Sequence, residues 1–249
     1  MSLTNKSNVQ WFYNDKIVTS PIFDEKNLRI LKKRVLQAVS KHSVKTYLDL
    51  GCGSGELTLF TSKLVNPVEI HGIEVSDSSR EQALKFNICC KSSDLNQNMP
   101  YPDKSFDLVS AFEIIEHLWN KDGFLKECYR VLRPGGYLII TTPNLLAFLS
   151  RFFVLFGYLP LHYDLSLEYE LETRPFQRST QLYGHISLYS MKTLKRHIES
   201  EGFQIASVDG LSSLYVKRFK FLKFLDSLFD RRPSWASNIL IVAEKPSSE

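Results

Sequence analysis

The sequence has no heptad pattern, no repeat with a period of roughly 20 to 50 residues and no low-complexity tract, so coiled coils, solenoids and disordered chains are excluded. Cysteine is scarce. Of the four present, Cys89 and Cys90 are adjacent in what reads as a buried strand, and Cys52 and Cys128 fall in separate elements. That is a poor disulfide framework, and a reducing, cytoplasmic setting is expected. Neither charge sign dominates: 31 Lys and Arg against 27 Asp and Glu leave a formal +4 with no contiguous basic block, so nucleic acid is not the expected partner. Residues 1–10 are polar and lack the apolar run of a signal peptide, so secretion is not expected. The most apolar stretch, 145–161, is shorter than the ~20 residues a spanning helix needs and contains Arg151, Gly157 and Pro160, so it is not read as a membrane span.

What is there suits one globular fold: 249 residues, 43% hydrophobic and 12% aromatic, enough for one large core or at most two small ones. Residues 24–42 place Leu28, Leu31, Val35, Leu36 and Val39 on one helical face. Tyr47 to Leu50 reads as a short apolar strand running into Gly51-Cys52-Gly53-Ser54-Gly55, and Leu57, Phe60 and Leu64 resume helical spacing. Further strands are expected at 68–74, 86–90, 106–112 and 137–142, with a polar helix start at 76–79, a helix at 122–132 and a turn at 133–136. Strands alternating with helices at this spacing mean a parallel sheet covered on both faces. The alternation stops at a first insertion, 144–184. A helix capped by Ser190 and ended by Gly202 follows, and strands at 203–209 and 238–243 flank a second insertion, 211–235. A single domain over 1–249 is expected, with 1–44 as its N-terminal helical segment.

In an open parallel sheet the ligand crevice lies beyond the carboxyl ends of the strands, where the glycine turn falls. Glycines let the backbone approach a ligand closely, and the helix after Gly55 offers unpaired N–H groups. A nucleotide-like ligand is implied. The dinucleotide fingerprint needs a small residue where this chain has Glu56, and no Gly-Lys-Ser/Thr follows the turn, so NAD, FAD and a Walker phosphate loop are disfavoured.

Asp49-x-Gly51-x-Gly53-x-Gly55, Glu74 ending the second strand, Asp94 after the third, Phe106-Asp107-Leu108-Val109 with Glu116-His117-Leu118, and Leu132-Arg133-Pro134-Gly135-Gly136 occur in that order. The set resembles the motifs of class I S-adenosylmethionine-dependent methyltransferases of the small-molecule type. The resemblance covers roughly residues 25 to 145, and Gly184-His185 to Gly202-Phe203 resembles a later helix and strand of the same family. It implies an α/β, Rossmann-like, mostly parallel seven-stranded sheet with helices on both faces and a final antiparallel strand. It also implies S-adenosylmethionine as cofactor, S-adenosylhomocysteine as product, and donor contacts from Asp49, Gly51, Cys52, Gly53 and Gly55. Glu74 falls at the ribose, Asp94 and Leu95 at the adenine, and Val75, Phe112 and His117 complete the set. A strand-tip carboxylate such as Glu74 can accept from both ribose hydroxyls.

Glu113, Glu116, His117 and His185 are the catalytic candidates. Methyl transfer is an in-line displacement that needs alignment above all, and a hydroxyl acceptor also needs a base, for which His117 or His185 with a neighbouring Glu is suited. Glu113-x-x-Glu116-His117 with a later His is similar to metal-dependent small-RNA 2'-O-methyltransferases and quinone-pathway O-methyltransferases. Glu-His-Leu is also widespread in the superfamily without metal, so a base or positioning role is the first expectation and a divalent cation the second. The expected function is methyl transfer to oxygen on a small or lipid-linked acceptor. The alternatives are an RNA-directed 2'-O-methyltransferase using a divalent metal and a catalytically silent donor-binding scaffold.

The run 145–161 reads as a core helix as readily as a lid, and 215–225 mixes Lys217, Arg218 and Lys220 with Phe219 and Phe221. Each insertion follows a strand that is parallel in this family's sheet, so both are expected over the acceptor pocket. Phe152, Phe153, Phe156 and Phe221 are then its lining, and the basic residues face an anionic head group or a membrane surface at which the cytoplasmic protein docks peripherally.

Overall fold

The structure is a computed structural model and describes residues 23–41, 43–169, 171, 183–211 and 232–247. Its helices are α1 (Glu25–Ala38), α2 (Glu56–Val65), α3 (Asp77–Lys85), α4 (Lys121–Val131), α5 (Phe148–Leu155) and α6 (Met191–Ser200). Its strands are β1 (Thr46–Leu50), β2 (Glu69–Ile73), β3 (Cys89–Lys91), β4 (Phe106–Phe112), β5 (Leu132–Pro143), β6 (Gln204–Leu211) and β7 (Asn238–Glu244). They form one sheet in the order β3-β2-β1-β4-β5-β7-β6. Pairing is parallel from β3 through β5, and β7 runs antiparallel to both β5 and β6. This is the Rossmann-like arrangement expected.

The two-residue period of the strands builds the two faces. Leu48 and Leu50 point to the side where Phe124 and Leu125 of α4 and Leu194 and Ile198 of α6 are buried. Tyr47, Leu108 and Ile139 point to the other, against Leu31 and Val35 of α1, with Leu57 and Phe60 of α2 packed alongside. Helix starts follow the side chains that can cap them: Asp24 accepts from Asn27 N–H, Ser76 from Ser79 N–H, and Ser190 with Thr193 forms a reciprocal capping box. Arg34 of α1 clasps Asp209 of β6 through two hydrogen bonds of 2.6 and 2.7 Å.

Several expectations need correction. The strand holding Cys89 and Cys90 is not buried: β3 is the short edge strand, with Cys89 exposed and Cys90 half-buried. It also starts later than 86, because Asn87 takes a left-handed turn, φ 59°. Leu36 is 41% exposed, off the buried stripe of α1, and the helix gives way to a 3-10 turn at Val39–Lys41. Residues 133–136 are a register shift inside β5 rather than a turn before it. Helix α5 is not a core helix: Ser150 is its buried residue, while Phe152, Val154 and Leu155 are exposed.

Register sets where the chemistry collects. Leu50 lies opposite Ile73 and Ala111, and Ala111 opposite Ile140. The strands therefore deliver the glycine turn, Glu74 and the segment after β4 to the same carboxyl edge. Pro143 of β5 and Leu211 of β6 both pair with Asn238, so both insertions leave from that edge as well. Their roots touch: Phe148 stacks on Trp235 at 5.7 Å, and Asn144 Nδ2 donates to Ala236 O at 2.8 Å. Phe221, Lys217, Arg218 and Lys220 lie outside the described residues. No helix among the described residues is long and apolar enough to cross a membrane.

Candidate functional site

Gly51, Gly53 and Gly55 all have positive φ, which lets the chain fold back tightly between β1 and α2. Gly51 N–H and Cys52 N–H donate to Ile73 O, anchoring the loop on β2. A Cβ at Gly51 would lie 2.0 Å from Ile114 Cδ1, whereas one at Gly53 would meet nothing within 4 Å. Gly51 therefore serves packing, and Gly53 borders open space.

Asp49 lies under the loop, buried, and accepts from Thr58 Oγ1 and Ser110 Oγ at 2.5 Å each. Burial pushes its carboxyl up to about 6, against the pull of those two hydroxyls. Its oxygens are engaged by the protein itself, so its hold on any ligand acts through the loop. Glu74 crosses to the loop: Oε2 accepts from Gly53 N–H at 2.9 Å and Oε1 from Ser76 N–H at 2.8 Å. Burial raises this carboxyl too, against the backbone N–H bonds of Ser76, Gly53 and Val75. Val75, beside it, is half-buried.

Asp94 is half-buried, and its Oδ1 accepts from the backbone and side-chain amides of Asn96. Asn96 was not anticipated. Its Oδ1 accepts from Trp119 N–H and Asn120 N–H, which fixes the loop after β3 against the start of α4. Leu95 between them is buried on the α4 face. Phe112 packs edge-on to Phe23 at 5.5 Å on the α1 face.

The segment after β4 begins with Glu113 in the left-handed region, φ 57°, held by N–H bonds to Thr141. A non-glycine residue there is strained and persists because its surroundings fix it. Glu113 Oε2 accepts from Asn238 Nδ2 at 2.9 Å, and Glu116, fully buried, accepts from Thr142 Oγ1 at 2.9 Å. The second oxygen of each carboxylate is buried with no hydrogen-bond partner. Burial pushes both groups up, and Glu116 is pushed further by the charge of Glu113. His117 Nε2 lies 4.0 Å from Glu116 Oε1. Its Nδ1 is 3.0 Å from Gly184 O, and His185 Nδ1 is 2.6 Å from His162 O. A carbonyl only accepts, so each ring carries its proton on Nδ1 and presents Nε2 as an acceptor. Burial lowers His117 to about 4 and His185 to about 3, so both are neutral near pH 7. The rings are 4.9 Å apart.

His185 reaches this place because Asp164 ties down the returning chain, accepting from Tyr183, Gly184 and His185 N–H. The Glu116 carbonyl accepts in turn from Ile186 N–H at 2.9 Å. The four catalytic candidates from the sequence thus stand around one turn at the carboxyl edge. Asn238, Thr142 and Asp164, which hold them, and Thr58 and Ser110, which hold Asp49, were not singled out. Ser110, polar within an apolar strand, carried a local signal; Asp164 and Asn238 carried none.

This fold and edge are shared with known proteins. The chain belongs to the class I S-adenosylmethionine-dependent methyltransferase family: residues 23–208 match the family described as Methyltransferase domain. It is 30% identical over 139 residues to the Mycobacterium tuberculosis protein named "Probable S-adenosylmethionine-dependent methyltransferase MT3114", covering 52% of this chain and 48% of that one. It is also 30% identical over 145 residues to the mitochondrial ubiquinone biosynthesis O-methyltransferase of Rattus norvegicus, covering 50% of this chain and 41% of that one. The chain thus matches about half the length, or less, of these curated relatives. In fold it is similar to an S-adenosylmethionine dependent methyltransferase from Mesorhizobium loti, with TM-score 0.59, 17% identity and coverage of 86% and 96%.

Proposed function

We propose that this chain binds S-adenosylmethionine against the glycine loop and transfers its methyl group to an oxygen of a small, apolar or lipid-linked acceptor. The observation that carries the reading is the open space over Gly53 beside Glu74, on the same edge as the Glu113, Glu116, His117 and His185 turn. Glu74 takes the ribose hydroxyls, and the loop backbone from Gly51 to Gly55 faces the methionine part. Asp49 positions that loop, and Asp94 and Leu95 border the adenine. Val75, Phe112 and His117 complete the donor side.

Alignment of acceptor oxygen, methyl carbon and sulfonium supplies most of the rate. As the new O–CH₃ bond forms and the S–CH₃ bond breaks, the acceptor's proton passes to Nε2 of His117 or His185. A buried imidazole this low in pKa is a weak base alone, and Glu116, its own carboxyl pushed up by burial and by Glu113, stands beside His117 to orient it. A quinone-type acceptor is supported by the names of two relatives, the rat ubiquinone biosynthesis enzyme and the demethylmenaquinone methyltransferase of Lactobacillus johnsonii, 30% identical over 152 residues. The exposed apolar residues of α5 at the root of the first insertion suit the same class of acceptor.

A second reading rests on the partnerless oxygens of Glu113 and Glu116. Ligand atoms of Glu116, His117 and His185 all lie within 4.8 Å of one another, and each imidazole is oriented by a backbone carbonyl as metal-bound histidines are. The residues fit a divalent cation. Bound there, it would polarise the acceptor hydroxyl and lower its pKa.

Calorimetry with S-adenosylmethionine and S-adenosylhomocysteine tests the donor. Gly53→Val and Glu74→Ala should each weaken binding by about tenfold or more, since Glu74 makes charge-assisted bonds; unchanged affinity in both removes the assignment. Consumption of donor with quinol acceptors separates an enzyme from a silent scaffold. Full turnover after exhaustive chelation rejects the cation, while loss restored by one divalent metal selects it.

A further inference from the structure

The donor and acceptor readings leave one pair of reactive groups unused. Cys52 Sγ and Cys90 Sγ lie 3.4 Å apart as free thiols, although 38 positions separate them in sequence. Gly72 of β2 makes the approach possible. It pairs in register with Cys90, and a Cβ on it would lie 2.6 Å from Cys52 Sγ, so its bare backbone lets the Cys52 side chain cross β2 toward β3. Ala83 and Ile88 enclose the same small cluster. Cys52 is buried and Cys90 half-buried, so Cys90 is the more accessible of the two to a reagent. The other two cysteines are placed apart: Cys128 is buried with α4 on the opposite face, and Cys89, next in the strand, points away from Cys90.

We propose that Cys52 and Cys90 form a reversible disulfide with small-molecule disulfide oxidants and that this bond weakens binding of the methyl donor. The second half rests on the donor site placed at the glycine loop. The Cys90 thiolate attacks one sulfur of a low-molecular-weight disulfide such as oxidised glutathione, expelling the first thiolate and leaving a mixed disulfide. Cys52 then gives up its proton and attacks Cys90 Sγ, expelling the second thiolate. Two protein thiols are oxidised, one external disulfide is reduced to two thiols, and the protons go to the departing thiolates. The hydrogen bond between the two thiols holds Cys90 below its usual pKa and pushes Cys52 up, and burial adds to the rise at Cys52, which suits Cys90 as attacking sulfur and Cys52 as resolving one.

A disulfide needs its sulfurs at about 2.05 Å, so the pair must close by roughly 1.3 Å. Cys52 is flanked by the contacts that shape the loop: its own N–H on Ile73 O and Gly53 N–H on Glu74 Oε2. A pull on its side chain toward β3 therefore moves the Gly53 backbone and its bond to Glu74. Oxidation thus acts on the donor through the backbone of the loop that faces it, while the two thiols lie behind that loop against β2 and β3.

The test incubates the full chain in glutathione buffers of fixed reduced-to-oxidised ratio. Peptide mapping without reductant reads the link, and calorimetry reads the affinity for S-adenosylhomocysteine. The expected result is a Cys52–Cys90 linked peptide and an affinity weakened by about tenfold, restored by dithiothreitol. Cys90→Ser should show no link and the same affinity in both buffers. Failure to recover the linked peptide overturns the disulfide. A linked peptide with unchanged affinity overturns its coupling to the donor. If the reduced chain does not bind S-adenosylhomocysteine, the donor reading has failed, and the peptide map still decides the disulfide.

Discussion

Gly51 and Gly53 sit two positions apart with similar backbone angles, and the structure separates their purposes. Each alanine substitution strains a left-handed backbone by about 1–2 kcal/mol, but only at Gly51 does the new methyl collide, with Ile114. Gly51→Ala should therefore lower the urea midpoint clearly more than Gly53→Ala. Larger residues at Gly53 should cost donor affinity instead, which paired unfolding and calorimetry would show. His117 offers a pH test. Its folded pKa of about 4 lies below the unfolded value, so the unfolded chain takes up the proton first. The neutral imidazole contributes stability above pH ~6.5, which is lost as pH falls toward 4, by about 3 kcal/mol at most. His117→Gln should remove that part of the acid slope in unfolding free energy between pH 7 and 5; an unaltered slope would refute the buried neutral state. His185, Glu116 and Lys121 titrate or carry charge nearby, so the comparison is between variant and wild type rather than absolute.

Among the elements, the junction between the loop after β3 and the start of α4 depends on one side chain. Asn96 accepts two backbone N–H groups and stands between Asp94 and the turn that carries Glu116 and His117. Asn96→Ala leaves those donors without their acceptor, at an expected loss of about 2 kcal/mol in urea unfolding. Asn96→Asp keeps the acceptor but sets a second carboxylate where Nδ2 now donates to Asp94, so it should recover only part of the loss, and more of it at acid pH than at neutral pH. The strands themselves were readable from the two-residue period: β4 falls at 106–112 as expected, and β7 ends one residue later than its pattern. Element ends were less so. β3 starts late and β5 starts early because a left-handed Asn87 and a bulge with Gly135 at φ 79° are set by neighbouring chains.

At the scale of the whole molecule, the insertions leave from the edge that carries the glycine loop, and α5 turns Phe152, Val154, Leu155 and Phe156 outward. Surface of this kind on a folded chain suits contact with a membrane or an apolar ligand. With the full chain, sedimentation with vesicles containing anionic lipid should be salt-sensitive, weakened by Phe156→Glu and by Lys217→Glu, while calorimetric donor affinity stays unchanged. No binding to such vesicles would leave a dissolved small acceptor as the substrate.

The sequence alone determined the strand periods, the glycine turn and the order of the acidic strand ends, because these are local patterns of a few residues each. The family resemblance implied that both insertions begin at the carboxyl edge, and the pairing of Pro143 and Leu211 with Asn238 puts both there. Only the tertiary structure decided what lies next to what. The meeting of Cys52 with Cys90 across Gly72 depends on strand order. The bonds from Asp164 to residues 183–185 depend on where a long connection returns. The second, unbonded oxygen of Glu116 depends on burial by chains distant in sequence. Local spacing carries direction and period, but burial and long-range pairing are properties of the packed whole, and they set the pKa values and contacts on which the chemistry rests.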